Sequence, residues 1–152
     1  MTIWVDADSC PKRIRDIVVR AAVKNDVPAA FVANRRIGLP QKAPVSMVEV
    51  EAGEGSADRY IVEHAAEGDM VITRDIPLAA DLVERSVVVL NDRGDIYTEE
   101  NVRERLSIRD FMYELRNQGQ FAERTRSFGE KEITAFSNAF DRTLQKLLKS
   151  IN

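Results

Sequence analysis

Five short runs rich in β-branched and small apolar residues punctuate this chain: Thr2–Val5, Ala29–Ala33, Ser46–Val50, Met70–Thr73 and Ser86–Leu90, with helical patterns between them. The first and the last two are apolar nearly throughout. Strands that face water on one side alternate in polarity, whereas strands of a parallel sheet covered on both faces read as continuous apolar runs. Helices must then lie on both sides. The expected fold is α/β, a three-layer, doubly wound, right-handed arrangement with a mostly parallel central sheet of about five strands.

The intervening patterns supply the helices. Pro11 suits a first helical turn because its missing N–H is not needed there, and Ile14, Ile17, Val18, Ala21 and Ala22 make one stripe through Asn25. Ser56 is a capping residue type ahead of Ile61, Val62, Ala65 and Ala66, with Gly68 as the stop. A third helix follows Asp75 directly, with Pro77 in its first turn. After the fifth run, Asn91–Asp95 reads as a turn that can close a short hairpin with Ile96 and Tyr97. Thr98 then opens a helix to about Leu106, and Ser107 begins either a second helix or the bent continuation of the first, to Asn117.

Between Gly119 and Gly129 periodicity fails, and the stretch reads as an exposed arm. Ser127 to Glu130 has the form of a capping box, and Ile133, Phe136, Phe140, Leu144, Leu147 and Ile151 give the last helix one continuous apolar face, for the core or for a homodimer contact. With 152 residues and 44% hydrophobic content, the chain is long enough for one domain over 1–152, with the arm and helix from about residue 119 appended.

Cys10 is the one cysteine, which excludes an internal disulfide and a cysteine-rich zinc site, and the neighbouring acids Asp6 and Asp8 favour a small buried hydrophobe over a reactive thiol at this helix start. The start of the chain lacks the pattern of an export signal, and no apolar run is long enough to span a bilayer, so a cytoplasmic location and no membrane partner are expected. A net charge of −3 argues against coating nucleic acid by bulk charge.

In open parallel sheets the ligand crevice lies beyond the carboxyl ends of the strands. Asp6 follows the first strand, with Asp8 two residues on; Asp58 sits in the first turn after the third; Asp75 follows the fourth; Asn91 and Asp92 follow the fifth. One such acid is ordinarily a helix cap or turn residue. Several on one edge repel, at a cost on the order of 4 kcal/mol for two charges about 4 Å apart at an effective dielectric near 20, and a cation relieves it. Oxygen ligands suit Mg²⁺ or Mn²⁺, while His64, mid-helix without a second histidine, gives no zinc pattern. Metal-bound water and a clamped phosphodiester are the usual chemistry of such sites.

Three segments together, Val5–Pro11 (VDADSCP), Ser56–Val62 (SADRYIV) and Gly68–Ala79 (GDMVITRDIPLA), resemble the YaiI/YqxD family of bacterial proteins. The likeness runs through Asn91–Gly94 and more loosely into the arm and last helix. That family is similar to PIN-like domains, whose acids bind Mg²⁺ or Mn²⁺ for RNA cleavage. The resemblance implies that Asp6, Asp58 and Asp75 are the catalytic and metal-binding acids, with Asp8 an added ligand candidate, in a metal-dependent nuclease-like protein acting on single-stranded RNA. PIN nucleases usually carry a further acid in an earlier helix, where this chain offers only Asp16. Ser9, Ser56, Thr73 and Asn91 are candidates to support the metal shell or substrate, with helix capping the alternative for the serines.

Two other readings stand beside this one. Asp6-Ala-Asp8 after an apolar strand resembles the nucleophile motif of haloacid-dehalogenase-type phosphatases, with Asp6 as nucleophile, Asp8 as acid/base and Asp69 as a later acid. Asp69 precedes its strand, however, which sets it at the opposite edge and makes a turn its simpler role. The third reading is a non-catalytic metal- or RNA-binding protein in which Arg35, Arg36, Arg124 and Arg126 contact phosphates, against the commoner fate of arginines on solvated faces.

Overall fold

A computed structural model describes residues 1–40, 42–53, 55–117 and 128–151. The elements run β1 (Ile3–Asp6), α1 (Lys12–Asn25), β2 (Ala29–Ala33), β3 (Val45–Glu49), α2 (Ser56–His64), β4 (Met70–Ile72), α3 (Ile76–Glu84), β5 (Val88–Leu90), α4 (Glu99–Asn117) and α5 (Glu130–Ile151). The strands form one sheet in the order β3-β2-β1-β4-β5, and every pairing is parallel.

Side-chain alternation along the strands divides the core in two. Ile3, Val5, Phe31, Met70, Ile72 and Leu90 point to one face, where α1 and α5 cover them with Ile14, Val18, Phe136, Phe140 and Leu144. Trp4, Val32, Val71 and Val89 point to the other, against α2, α3 and α4 through Ile61, Leu78, Leu82 and Val102. This is the three-layer sandwich that the unbroken apolar runs require. The middle of the α5 stripe is core: Phe136 and Phe140 are fully buried and stacked with centroids 5.3 Å apart, while Ile151 at its end is exposed.

Local differences from the sequence expectation have local causes. α2 ends at His64, with Ala65 extended, because Asp69 draws the chain into a turn by accepting from the Ala66 N–H at 2.9 Å. α2 also starts without a side-chain cap: Gly55, in the left-handed region at φ 76°, holds the cap position and Ser56 is already helical. Its hydroxyl accepts instead from Arg59 at 3.2 Å. Ser9 caps nothing either, since the residue before α1 is Pro11 and no side chain bonds there.

Glu99–Asn117 is one helix, entered by a reciprocal pair in which the Asn101 N–H donates to Thr98 Oγ1 and the Thr98 N–H to Asn101 Oδ1. The Ser107 hydroxyl bonds back to the Arg103 carbonyl at 3.2 Å and opens no second helix. The hairpin after β5 is a single antiparallel bridge between Leu90 and Ile96. Gly94, at φ 87°, turns there under α5, where a Cβ would lie 2.6 Å from the Ala135 carbonyl oxygen. Most of the expected arm, with Arg124, Arg126 and Ser127, lies outside the described residues. No helix among the described residues is long and apolar enough to cross a membrane.

Candidate functional site

The strand order fixes where a ligand crevice opens. The chain winds from β1 through β2 to β3 on one side, then returns to β4 and β5 on the other, so the order reverses between β1 and β4. Connections leave those two carboxyl ends in opposite directions and a cleft opens between them. Asp6 is the last residue of β1, and Thr73, Arg74 and Asp75 leave β4 beside it.

Thr73 joins the two sides. Its buried hydroxyl donates to Asp6 Oδ2 at 2.8 Å and accepts from the Asp75 N–H at 3.0 Å. Asp75 caps α3, its Oδ1 accepting from the Leu78 N–H at 2.9 Å. Pro77 within the first turn keeps φ preset for that entry. The acid is thereby fixed at a helix N-terminus, where the peptide dipoles favour negative charge.

Asp58 comes from α2 on the same face of the sheet, and its carboxyl hydrogen bonds to Asp75. Burial, that bond, and the charges of Asp75 and Asp6 push the Asp58 pKa up to about 7. Asp6 is also raised above the ordinary carboxylate range, first by burial and further by Asp75 and Asp8, with the Thr73 hydroxyl opposing. The charge of Asp75 thus opposes the ionisation of both Asp6, on β1, and Asp58, on α2. The cleft beside Asp58 and Asp75 holds about 380 Å³ and continues between α2 and α3 past Val62, Glu63, Leu78 and Asp81. Glu63 and Asp81 escaped the sequence reading because their shared groove depends on how α2 packs on α3.

The other candidates stand outside the bonds that join these acids. Asp8 accepts from the Asn34 N–H at 3.0 and 3.2 Å, fastening the β1 loop to the exit of β2, where Arg35 and Arg36 are exposed. Asn91 spends its side chain on its own turn, accepting from the Arg93 and Asp95 N–H groups and donating to Asp95 and Tyr97. Ser9 is exposed on the rim of a small pit with Asp6, Cys10, Thr73, Arg74 and Asp92. Asp16 is ion-paired with Lys12 on the surface of α1 at 3.2 Å. Cys10 is buried, and that burial pushes its thiol up to about 12, so it is an inert packing group. His64 is exposed, stacked on Tyr60 at 3.9 Å with Nδ1 against the Tyr60 carbonyl.

Asp69 is at the far edge, almost fully buried, accepting from the Thr2 N–H, the Trp4 indole and the Ala66 N–H. It is a structural acid and unavailable to a phosphatase-type site at Asp6.

As the side chains stand, no three His, Cys, Asp or Glu among the described residues form a group that could hold a metal ion. The donor set fits a lighter demand. Mg²⁺ commonly keeps several waters and takes only one or two protein carboxylates beside substrate phosphates. Asp58 and Asp75, joined by a hydrogen bond, place two carboxylates side by side, and Asp6 adds negative charge next to them.

A family model described as "Uncharacterized BCR, YaiI/YqxD family" matches residues 4–146. The chain is 52% identical over 149 residues to the UPF0178 protein of Treponema pallidum (strain Nichols), covering 98% of this chain and 84% of that one. It is 51% identical over 149 residues to the UPF0178 protein of Syntrophobacter fumaroxidans, covering 98% and 97%. The UPF0178 protein of Psychromonas ingrahamii is 47% identical over 150 residues, covering 99% of each. No solved structure matches the chain.

Proposed function

We propose a function for this chain, which belongs to the YaiI/YqxD family, from the acids of its sheet edge: a divalent-metal-dependent hydrolase of RNA phosphodiesters. The observation that carries it is the meeting of Asp6, Asp58 and Asp75 at the β1/β4 switch point, with the Asp58 carboxyl hydrogen-bonded through its proton to Asp75. A cation in place of that proton removes the repulsion among three carboxylates. Mg²⁺ or Mn²⁺ held by Asp58 and Asp75 supplies a polarised water and a clamp for phosphate oxygens.

The chain's own groups do the rest. Thr73 fixes Asp6 and the Asp75 backbone relative to each other, so the acids are aligned before a ligand arrives. Asp6, with its raised affinity for a proton, is suited to take one from an attacking water. Arg35 and Arg36, exposed beside the loop that Asp8 anchors, offer phosphate contacts along the same edge.

Calorimetric titration of Mn²⁺ into wild type, Asp6→Asn and Asp75→Asn, beside cleavage of labelled single-stranded RNA, tests this. Mn²⁺ affinity is expected to fall about tenfold or more in Asp75→Asn. Cleavage is expected to fall about a hundredfold or more in Asp6→Asn. No Mn²⁺ uptake by wild type, or undiminished uptake by Asp75→Asn, overturns the reading.

A further inference from the structure

An RNA strand approaching Asp6, Asp58 and Asp75 meets negative charge, and a metal between two of them leaves the third unopposed. We propose that Arg74 is the protein's own phosphate-binding residue at this edge, its guanidinium taking a non-bridging oxygen of the strand beside Asp6; this rests on the preceding reading for the identity of the ligand.

Arg74 stands between Thr73, which holds Asp6, and the helix cap Asp75, so its backbone is fixed at the switch point. Its side chain is anchored at one end only. Nε donates to Oδ2 of Asp92, which follows β5. The Asp92 side chain is 4% exposed, whereas that of Arg74 is 47% exposed. A buried carboxylate thus holds the inner edge of the guanidinium while the outer edge faces solvent.

Among the described residues the two terminal nitrogens of Arg74 make no hydrogen bond, and they are the fork that matches two oxygens of a phosphate. Phe128 restricts the swing of the side chain, its ring centroid lying 6.0 Å from the guanidinium carbon. Arg93 packs on the same ring at 5.4 Å and is paired with Glu132, so it adds positive field while Arg74 supplies the open donors. Arg74 and Asp6 also line one small pit of about 10 Å³, room for about one water, so a phosphate oxygen at Arg74 has Asp6 as its neighbour.

The competing role is structural, a bridge that ties the end of β4 to the end of β5. Binding of a fluorescein-labelled single-stranded RNA of about 12 nucleotides, followed by anisotropy across a salt series with Ca²⁺ in place of Mn²⁺, separates the two. Arg74→Gln is expected to weaken binding about tenfold. It is also expected to flatten the slope of log affinity against log salt by about 0.7, one phosphate contact on a single strand. Arg74→Lys, which keeps the charge without the fork, falls between.

Because Arg74→Gln leaves Asp92 buried without its partner, the double variant Arg74→Gln with Asp92→Asn is the decisive one. It is expected to melt with wild type yet still bind RNA about tenfold more weakly. Recovery of wild-type RNA affinity in the double variant, an unchanged affinity and slope in Arg74→Gln, or no RNA binding by wild type overturns the proposal. Mn²⁺ calorimetry on the same proteins keeps the two readings apart. Wild type that takes up no Mn²⁺ but loses RNA affinity with Arg74→Gln removes the hydrolase reading and leaves Arg74 as the phosphate contact.

Discussion

Asp58 sits in the first turn of α2 and hydrogen bonds to Asp75, two elements away in sequence. In an open chain its pKa has the ordinary value of 3.8, and in the fold it is pushed up to about 7. A group raised in this way stabilises the fold on the acid side, and that contribution is lost as pH climbs through the folded value. Above about 7 the ionised Asp58 faces the charges of Asp75 and Asp6, which Arg59 offsets only in part. Asp58→Asn keeps a donor for Asp75 and carries no charge. Solvent screening of this partly exposed pair limits the gain to about 1 kcal/mol. The variant should therefore melt about 2–4 °C above wild type near pH 8, and with it near pH 3.5, below the open-chain value. Thermal scans at both pH values check this, and equal melting at the alkaline value refutes it. At this scale the sequence was informative about Asp6, Thr73 and Asp75, because a residue just past a buried strand has one place to go. It was silent on the Asp58–Asp75 bond and on the Arg74–Asp92 pair, since each needs the packing of one helix on another or the neighbouring of β4 and β5.

Among the elements, the connection between α2 and β4 shows how an acid can be structural. Asp69 leaves the chain where helix has ended and β4 has not begun, and its carboxylate collects three donors: the Thr2 N–H at 2.9 Å, the Trp4 indole at 3.0 Å and the Ala66 N–H at 2.9 Å. Two of those groups belong to the start of the chain and β1, so the side chain ties the amino edge of the sheet to the end of α2. Asp69→Ala leaves these donors unsatisfied at a nearly buried site and should cost about 3 kcal/mol. Urea unfolding measures it, and Mn²⁺ titration of the still-folded variant should match wild type, because Asp69 is at the opposite edge from Asp6. A loss of metal uptake without a loss of stability would restore it to a functional role. Strand periodicity placed Asp69 at the correct edge; the premature end of α2 was set by a side-chain bond to a backbone group, which periodicity does not register.

The whole molecule divides its tasks between the two faces of one sheet. α1 and α5 cover the face of Ile3, Val5 and Phe31, and α5 arrives there from the end of the chain. α2 and α3 cover the other face and carry the acidic cleft between them. Stability can therefore be lowered from one side while the cleft is left intact on the other. Phe136 is the place to do so, fully buried and stacked on Phe140, next to the α5 backbone that presses on Gly94. Phe136→Ala removes a ring that nothing nearby can replace and should cost about 3–5 kcal/mol. In a chain of ordinary stability that is a large share of the total, so the variant should unfold at markedly lower urea. At temperatures where it stays folded, its Mn²⁺ affinity should equal that of wild type. A Mn²⁺ affinity that falls in step with stability would mean that the α5 face holds the acids in place through the sheet, and that the cleft depends on both layers.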